Sequence, residues 1–327
     1  MKSADGCLKS KIMNENTSQL ISCVIALCAL MILFSILSPY FLSVNNLLSM
    51  AMQTVTTMII GIGFTFVIVA GSIDLSVGPV LAMCSVIVAT LLANDQPIWL
   101  CCVTGLGFGM VLGLINGLLI TKMQLPAFVA TIGTQMAIRG LALVFTDSRA
   151  VYISNRPEFR ELAAGKVLGV VQYPVIIMLV LAVLAAFILR KTVIGRHVYA
   201  IGSNEEAARL SGINTHGVRI FAYVFCAAMA SIAGILVTSR ANSGQPNIGI
   251  GYEADAIAAC VIGGASMNGG HGCILGTILG ALVIGILSNG LNLIQVSTNW
   301  QTVATGVVLI IAVYLDIVRQ KKRMGKK

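Results

Sequence analysis

Polar side chains that interrupt long apolar runs are the first candidates for chemistry in this sequence. Asp74 stands between two such runs, in a break flanked by Gly71 and Gly78, and Ser76 follows it by two residues. A carboxylate inside a membrane is energetically costly and is normally paired or functional. It could gate or line a pathway, or it could cap the next helix by accepting hydrogen bonds from free N–H groups. The sequence leaves both readings open for Asp74 and Ser76.

Other polar residues within or beside apolar runs give weaker signals. Asn116, Asn289 and Asn292 are uncharged, and they could hydrogen-bond a hydroxylated solute or tie neighbouring helices together. Glu253 and Asp255 begin an apolar run, where a helix dipole favours acidic residues, and the alternative is that they dock an external partner.

The sequence lacks the motifs of the common catalytic chemistries. It has no Gly-x-x-x-x-Gly-Lys-Ser/Thr loop for ATP and no His-Glu-x-x-His zinc motif, and its three histidines are scattered. It also lacks the ladder of carboxylates that is typical of ion-coupled transport. We therefore expect no enzyme activity, no metal site and no cofactor in this chain, and a transporter of this kind would need an external energy source.

Composition and hydropathy set the fold class. Apolar residues make up 57% of the 327, charged residues only 10%, and the mean hydropathy is +0.93. A hydrocarbon core about 30 Å thick needs roughly 20 apolar residues per helix. The sequence therefore predicts an all-α polytopic membrane protein with about ten transmembrane helices. The predicted spans are 19–38, 47–70, 78–93, 98–121, 126–146, 172–189, 218–240, 253–267, 272–293 and 299–316.

The distribution of positive charge predicts the orientation. Cytoplasmic loops of membrane proteins are enriched in Lys and Arg, and here most of these residues fall in the two termini and in one internal loop. We expect both termini to be cytoplasmic in a bacterial inner membrane, and the net charge of +9 to report topology rather than nucleic-acid binding. Asp74 then lies near the cytoplasmic end of its helix, and Arg139 is expected to extend toward the outer surface. The predicted segments are 1–18 (cytoplasmic N-terminus), 19–318 (transmembrane domain), 147–171 (outer loop), 190–217 (cytoplasmic loop) and 319–327 (basic cytoplasmic tail).

A weak internal repeat accompanies this topology. A shift of 173 residues pairs Asn116–Leu118 with Asn289–Leu291 and matches spans two to five with spans seven to ten. One span separates the two units, so the copies are predicted to be inverted, as in many transporters. A shorter match between 67–78 and 261–272 would instead imply parallel copies.

The segment 202–213 is predicted to form a short amphipathic helix in the cytoplasmic loop. Ser203 or Asn204 can cap its start, two glutamates favour its first turn, and Gly212 can end it. It is either a solvated connector or a contact for a partner. The residues singled out are Asn204, Glu205, Glu206, Ala207, Ala208, Arg209 and Gly212.

Several motifs occur together and in a fixed order along the chain. They are Ser38–Leu42, Asn45–Leu47, Ser72–Gly78, Gly202–Ile213, Gly244–Pro246, Gly251–Ala259, Ile262–Ser266, Gly269–Gly272 and Ser288–Leu293. In this order they resemble the permease subunit of bacterial ATP-binding-cassette sugar importers of the ribose type, over residues 38–316.

The resemblance implies partners and a mechanism. Two ATPase subunits carrying ATP and Mg²⁺ would bind the cytoplasmic side, with Glu205–Ala208 as the coupling helix, and a periplasmic sugar-binding protein would dock outside. A second permease copy, identical or closely related, and membrane lipid would complete the assembly. The expected function is import of a ribose-like or allose-like aldose by alternating access. The alternatives are a permease for nucleosides, a signalling furanose or branched-chain amino acids, a stand-alone ion-coupled carrier, or a membrane scaffold without transport.

Overall fold

The computed structural model describes the backbone of residues 2–324 except 155 and 168, and the side chains of residues 20–318 except 155, 168 and 315. The side chains of the predicted N-terminal segment (1–18) and basic tail (319–327) therefore lie outside the described residues. The regular secondary structure of the described part is almost entirely helical, as predicted. Its helices are α1 (Lys2–Leu37), α2 (Val44–Val69), α3 (Val77–Ala93), α4 (Ile98–Thr121), α5 (Ala127–Phe145), α6 (Pro157–Ala164), α7 (Tyr173–Lys191), α8 (Val193–Ser203), α9 (Glu205–Leu210), α10 (Thr215–Ala241), α11 (Tyr252–Ile262), α12 (Ile274–Leu293) and α13 (Thr298–Met324).

Four two-residue strands form two small antiparallel ladders. They are β1 (Val151–Tyr152), β2 (Lys166–Val167), β3 (Val171–Gln172) and β4 (Ser243–Gly244). β1 pairs with β4 and β2 pairs with β3. The first ladder joins the predicted outer loop to the segment that follows α10.

The helices confirm a polytopic membrane protein. Within the described residues, eight helices are long and apolar enough to cross a membrane. Large apolar side chains on α4, α5, α7 and α13 are exposed, as expected for surfaces that face lipid. Each of the ten predicted apolar spans corresponds to an observed helix.

Two of these helices are too short to cross the membrane unaided. α3 has 17 residues and α11 has 11, which gives lengths of about 26 Å and about 17 Å at 1.5 Å per residue. The prediction of a span over 253–267 was wrong at its end, because α11 stops at Ile262. The residues that follow include Gly264 at φ +91°, a conformation that does not continue a helix.

α2 and α10 run antiparallel along one another. Ser72, just after α2, hydrogen-bonds Tyr223 in the first half of α10, whereas Arg240 at the end of α10 reaches the Met52 carbonyl in the first half of α2. The two helices are the first members of the two predicted repeat units. Their opposite directions are those of inverted copies, as predicted.

The two repeat units make equivalent contacts. The first helix of each unit packs against the second and third helices of the other unit. α10 packs against α3 and α4, and α2 packs against α11 and α12. α3 contacts α4 and α5, just as α11 contacts α12 and α13. The repeat that is weak in residue identity is therefore clear in the contacts between helices.

The two sides of the molecule can be told apart by their short elements. One side, here named the α9 face, carries α8, α9, the C-terminal ends of α2 and α4, and the start of α10. The other, the α6 face, carries α6 and the ends of α3, α5 and α10. On the α6 face Arg156 forms an ion pair of 2.9 Å with Asp95, and Ser239 Oγ donates to the Phe159 carbonyl.

The segment 244–251, here named the re-entrant segment, runs from the α6 face into the protein beside α3. A methyl group added to Gly244 would lie 2.6 Å from the Ser85 carbonyl oxygen, and one added to Gly249 would lie 2.9 Å from the Gly78 carbonyl oxygen. Ser85 and Gly78 are seven residues apart, so the segment descends about 10 Å along α3. As a result α11 begins inside the protein, beside the start of α3.

Small residues spaced four apart on α4 allow close helix packing. Added methyl groups on Gly105, Gly109, Gly113 and Gly117 would meet atoms of α3 or α10 at 2.9 Å or less. These glycines therefore build the bundle by letting helix backbones approach.

Candidate functional site

α9 is about one and a half helical turns long and has a defined start and end. The Asn204 side chain accepts a hydrogen bond of 2.9 Å from the Ala207 N–H, which satisfies one of the free donors at the helix start. At the other end the Ile213 N–H bonds the Ala208 carbonyl and the Gly212 N–H bonds the Arg209 carbonyl, with Gly212 at φ +83°. This is the Schellman arrangement that glycine favours after a helix. The predicted cap and stop are both confirmed.

α9 is exposed on nearly all sides. Ala208 is buried at 5% exposure and anchors the helix, whereas Leu210 is 81% exposed. Glu205, Glu206 and Arg209 are also exposed. Leu210 and the charged side chains around it are therefore accessible to a partner.

Specific bonds tie α8 and α9 to the membrane helices. Arg219 on α10 forms an ion pair of 2.8 Å with Glu205. The Tyr199 hydroxyl on α8 donates a 2.6 Å hydrogen bond to the Gly272 carbonyl, and burial raises the pKa of Tyr199 to about 12, so it remains a donor at neutral pH. α8 was not predicted as a helix separate from α9, and the roles of Arg219 and Tyr199 were missed.

Three backbone segments meet at the end of α8. Gly202 lies so close to the end of α2 that an added methyl group would overlap the Val69 carbonyl oxygen. The same carbonyl accepts a 2.9 Å hydrogen bond from the Gly270 N–H, in the loop between α11 and α12. A displacement of α8 and α9 must therefore act on α2 and on this loop together.

Asp74 lies in a chain of buried polar groups. Its Oδ1 accepts from the Ser76 N–H at 2.9 Å and from the Ser76 hydroxyl at 2.6 Å, and Ser76 Oγ in turn accepts from the Asn116 amide at 2.8 Å. Asp74 and Asn116 are both 0% exposed. The carboxylate orders the turn before α3 rather than capping the helix at its first N–H. Complete burial means that this carboxylate is shielded from water and depends on these hydrogen bonds.

Two hydrogen-bond acceptors in this group of buried polar side chains have no partner among the described residues. They are Asp74 Oδ2 and Asn116 Oδ1, and Glu253 Oε2 is a third buried acceptor of this kind. Glu253 Oε2 lies 2.7 Å from where a methyl group on Gly78 would be, at the first turn of α3. Buried polar atoms without partners are rare and often mark functional positions.

Arg139 does not extend to the outer surface, so that expectation was wrong. Its Nη1 donates to the carbonyl oxygens of Pro246 and Ile248, at 2.8 Å for the latter. The guanidinium holds the re-entrant segment instead, because a backbone without helical bonds needs partners inside a membrane.

Of the remaining predicted residues, one ties two helices together and the others are exposed or line a cavity. Asn289 forms two reciprocal hydrogen bonds with Asn46 of 2.9 and 3.0 Å, and so ties α12 to the start of α2. Asn292 is exposed. Asp255 lines a cavity of about 470 Å³ between α11, α12 and α13 with Gln301. A docking role for Glu253 and Asp255 stays a prediction.

The family model of the branched-chain amino acid transport system, permease component, matches residues 46–313. The chain belongs to this permease family. The ribose import permease protein of Haemophilus influenzae is 42% identical over 295 residues, which cover 89% of this chain and 91% of the relative. The ribose import permease protein of Bacillus subtilis is 42% identical over 94% of this chain and 96% of its own length. The D-allose transport system permease protein of Escherichia coli is 37% identical over 89% of each chain. No solved structure matches the permease.

Proposed function

We propose that the permease is the membrane subunit of an ATP-driven importer for a monosaccharide of the ribose or allose type, in a bacterial inner membrane. The observation that carries the proposal is the identity of about 40% with ribose import permeases along nearly the whole chain. The protein itself performs transport rather than catalysis, and ATP and Mg²⁺ belong to a partner subunit.

We place the α9 face in the cytoplasm. Positive charge concentrates in the termini and in the loop 190–217, and cytoplasmic segments carry this excess. The ATPase then contacts α9 through Leu210 and the charged residues around it. Two permease copies, two ATPases and a sugar-binding protein on the α6 face form the assembly that we propose.

The mechanism that we propose is alternating access driven by α9. When ATP closes the ATPases, α8 and α9 shift, and the contacts of Gly202 pass the shift to the end of α2 and to the loop before α12. These segments flank Asp74 and the short helices α3 and α11, whose starts meet inside the protein. Discontinuous helices of this kind surround the substrate sites of many transporters. We propose that the polar groups of Asp74, Ser76 and Asn116 come to face the hydroxylated solute when these helices move.

A second candidate substrate is a branched-chain amino acid, because the family model bears that description. The relatives at 37–42% identity are ribose and D-allose permeases, and they favour a sugar.

The test is uptake into proteoliposomes that contain the permease and its ATPase, with the sugar-binding protein added outside. We expect labelled ribose or allose to enter only with ATP inside and binding protein outside, and to keep entering when a proton or sodium ionophore is present. Labelled leucine serves as the competing substrate. Uptake that needs no ATP and stops with the ionophore would identify an ion-coupled carrier and refute the proposal.

A further inference from the structure

A polar cavity of about 440 Å³ opens on the α9 face and is separate from the buried groups around Asp74. It lies between the ends of α2 and α4, the start of α5, α9 and the start of α10. Its polar lining residues are Ser72, Thr121, Gln124, Glu205, His216 and Arg219.

The hydrogen-bonding capacity of this lining is not used up within the protein. Arg219 Nη2 is bonded to Glu205 Oε2, but the buried Arg219 Nε has no partner among the described residues. Gln124 and His216 make no side-chain hydrogen bond to the described residues. Tyr223 has one hydroxyl proton and donates it to the Ile73 carbonyl.

Since the Tyr223 proton is used, the Ser72 hydroxyl must donate to the Tyr223 oxygen, at 2.6 Å. The Ser72 oxygen therefore remains an acceptor beside the cavity. The cavity thus offers donors from Arg219 and Gln124 and acceptors from Ser72 and Glu205.

The chemistry of the lining selects the class of ligand. The charges of Arg219 and Glu205 compensate one another, so neither an anion nor a cation gains a net attraction. A hydroxyl group both donates and accepts a hydrogen bond, and several hydroxyls on one small solute match the mixed lining. We infer that this cavity is an exit-side binding site for a neutral polyhydroxylated solute such as a monosaccharide, and that its occupancy acts on α9 through Glu205. This inference deepens the proposed function and rests on it.

The position of the site gives it a regulatory effect. Glu205 belongs to α9 and Ser72 belongs to the turn that precedes Asp74, so one ligand contacts both the helix proposed to meet the ATPase and the end of the proposed pathway. A solute bound here favours the state that holds Glu205 in its present place. Because a ligand shifts an equilibrium toward the state that it binds better, sugar accumulated on the α9 face should slow further import.

Binding can be tested without transport by protection from labelling. In the full permease in nanodiscs, a Gln124→Cys variant reacts with a maleimide, and we expect D-ribose to slow this reaction in a saturable way. A His197→Cys variant, on α8 and outside the cavity, is the matched control and should be unaffected. Inorganic phosphate and a betaine test for an anion or a zwitterion as the ligand. Protection by either of these but not by ribose, or equal protection at both positions, would overturn the site.

The regulatory effect is tested in proteoliposomes with ribose enclosed on the α9 face at increasing concentration. We expect import to fall, and His216→Ala to raise the half-inhibitory concentration about three- to tenfold, the effect of losing about one hydrogen bond. His197→Ala should leave this concentration unchanged. An equal shift in both variants, or no inhibition in the unmodified protein, would refute the regulatory role. Failure of the proposed function would appear differently, as absence of ATP-dependent sugar import in the unmodified protein while protection at position 124 persists.

Discussion

The guanidinium of Arg139 gives the sharpest quantitative prediction, because it bridges two carbonyl groups of the re-entrant segment. Arg139→Met keeps the apolar stem and removes the donors to Pro246 and Ile248. A hydrogen bond to a charged group contributes about 1.5–3 kcal/mol when it is buried, and less where water can replace it. The site is partly buried, so we expect a loss of about 2 kcal/mol for the pair.

A loss of about 2 kcal/mol corresponds to a roughly 30-fold increase in local opening. The reporters are the amides of Ile248 and Tyr252, which donate to carbonyls of the same segment at 3.2 and 3.3 Å. Their hydrogen exchange should accelerate by about this factor for the permease in nanodiscs. Arg139→Lys keeps a donor and should lose much less.

The matched control is Arg240→Met, because the hydrogen bond of Arg240 to the Met52 carbonyl is long, at 3.5 Å. It should change exchange in the re-entrant segment by less than about fivefold. If Arg139→Met and Arg240→Met accelerate the same amides equally, or if neither does, Arg139 does not hold the segment and the reasoning fails.

Three further predictions concern α9, Asp74 and orientation. Leu210→Asp should lower ATPase binding to the purified permease at least tenfold while the permease stays in the membrane, and unchanged binding would exclude α9 as the contact. Asp74→Asn keeps the acceptor for both Ser76 hydrogen bonds and should leave the rate of uptake within about twofold of the unmodified protein. Asp74→Ala should lower the yield of folded protein, because it removes the hydrogen bonds of a turn worth about 1 kcal/mol. A loss of uptake in Asp74→Asn at normal yield would show that the negative charge serves the pathway. A cysteine at Glu158 in α6 should react with an impermeant maleimide from the periplasm, and reaction only from the cytoplasm would reverse the orientation. Position 155, in the same loop, lies outside the described residues.

The features that the sequence predicted well are those decided by neighbouring residues. Most boundaries of the long apolar helices follow from hydropathy. The start and end of α9 follow from Asn204 and Gly212, whose hydrogen bonds reach only three to five residues along the chain. The inverted repeat was weak in identity because apolar residues exchange freely where they face lipid. Its order of helices survives, and this order is what determines the packing.

The features that the sequence missed depend on distant partners. Arg139 binds carbonyls more than 100 residues away, so its position near the end of a span predicted a different direction. The segment 241–252 lies between two predicted spans, and its Gly and Pro residues cannot distinguish a loop in water from one that enters the membrane beside α3. Likewise, nothing near Arg219 indicated that it would face Glu205 fourteen residues earlier across a shared cavity.

The contact at Gly202 also has a mechanical consequence. Side chains that transmit a force can absorb part of it by changing rotamer, whereas at Gly202 one main chain rests directly on another. This contact is therefore difficult to compress, and a displacement of α8 toward α2 is transmitted to α2 almost in full. A larger residue at position 202 would hold the end of α8 permanently away from the end of α2.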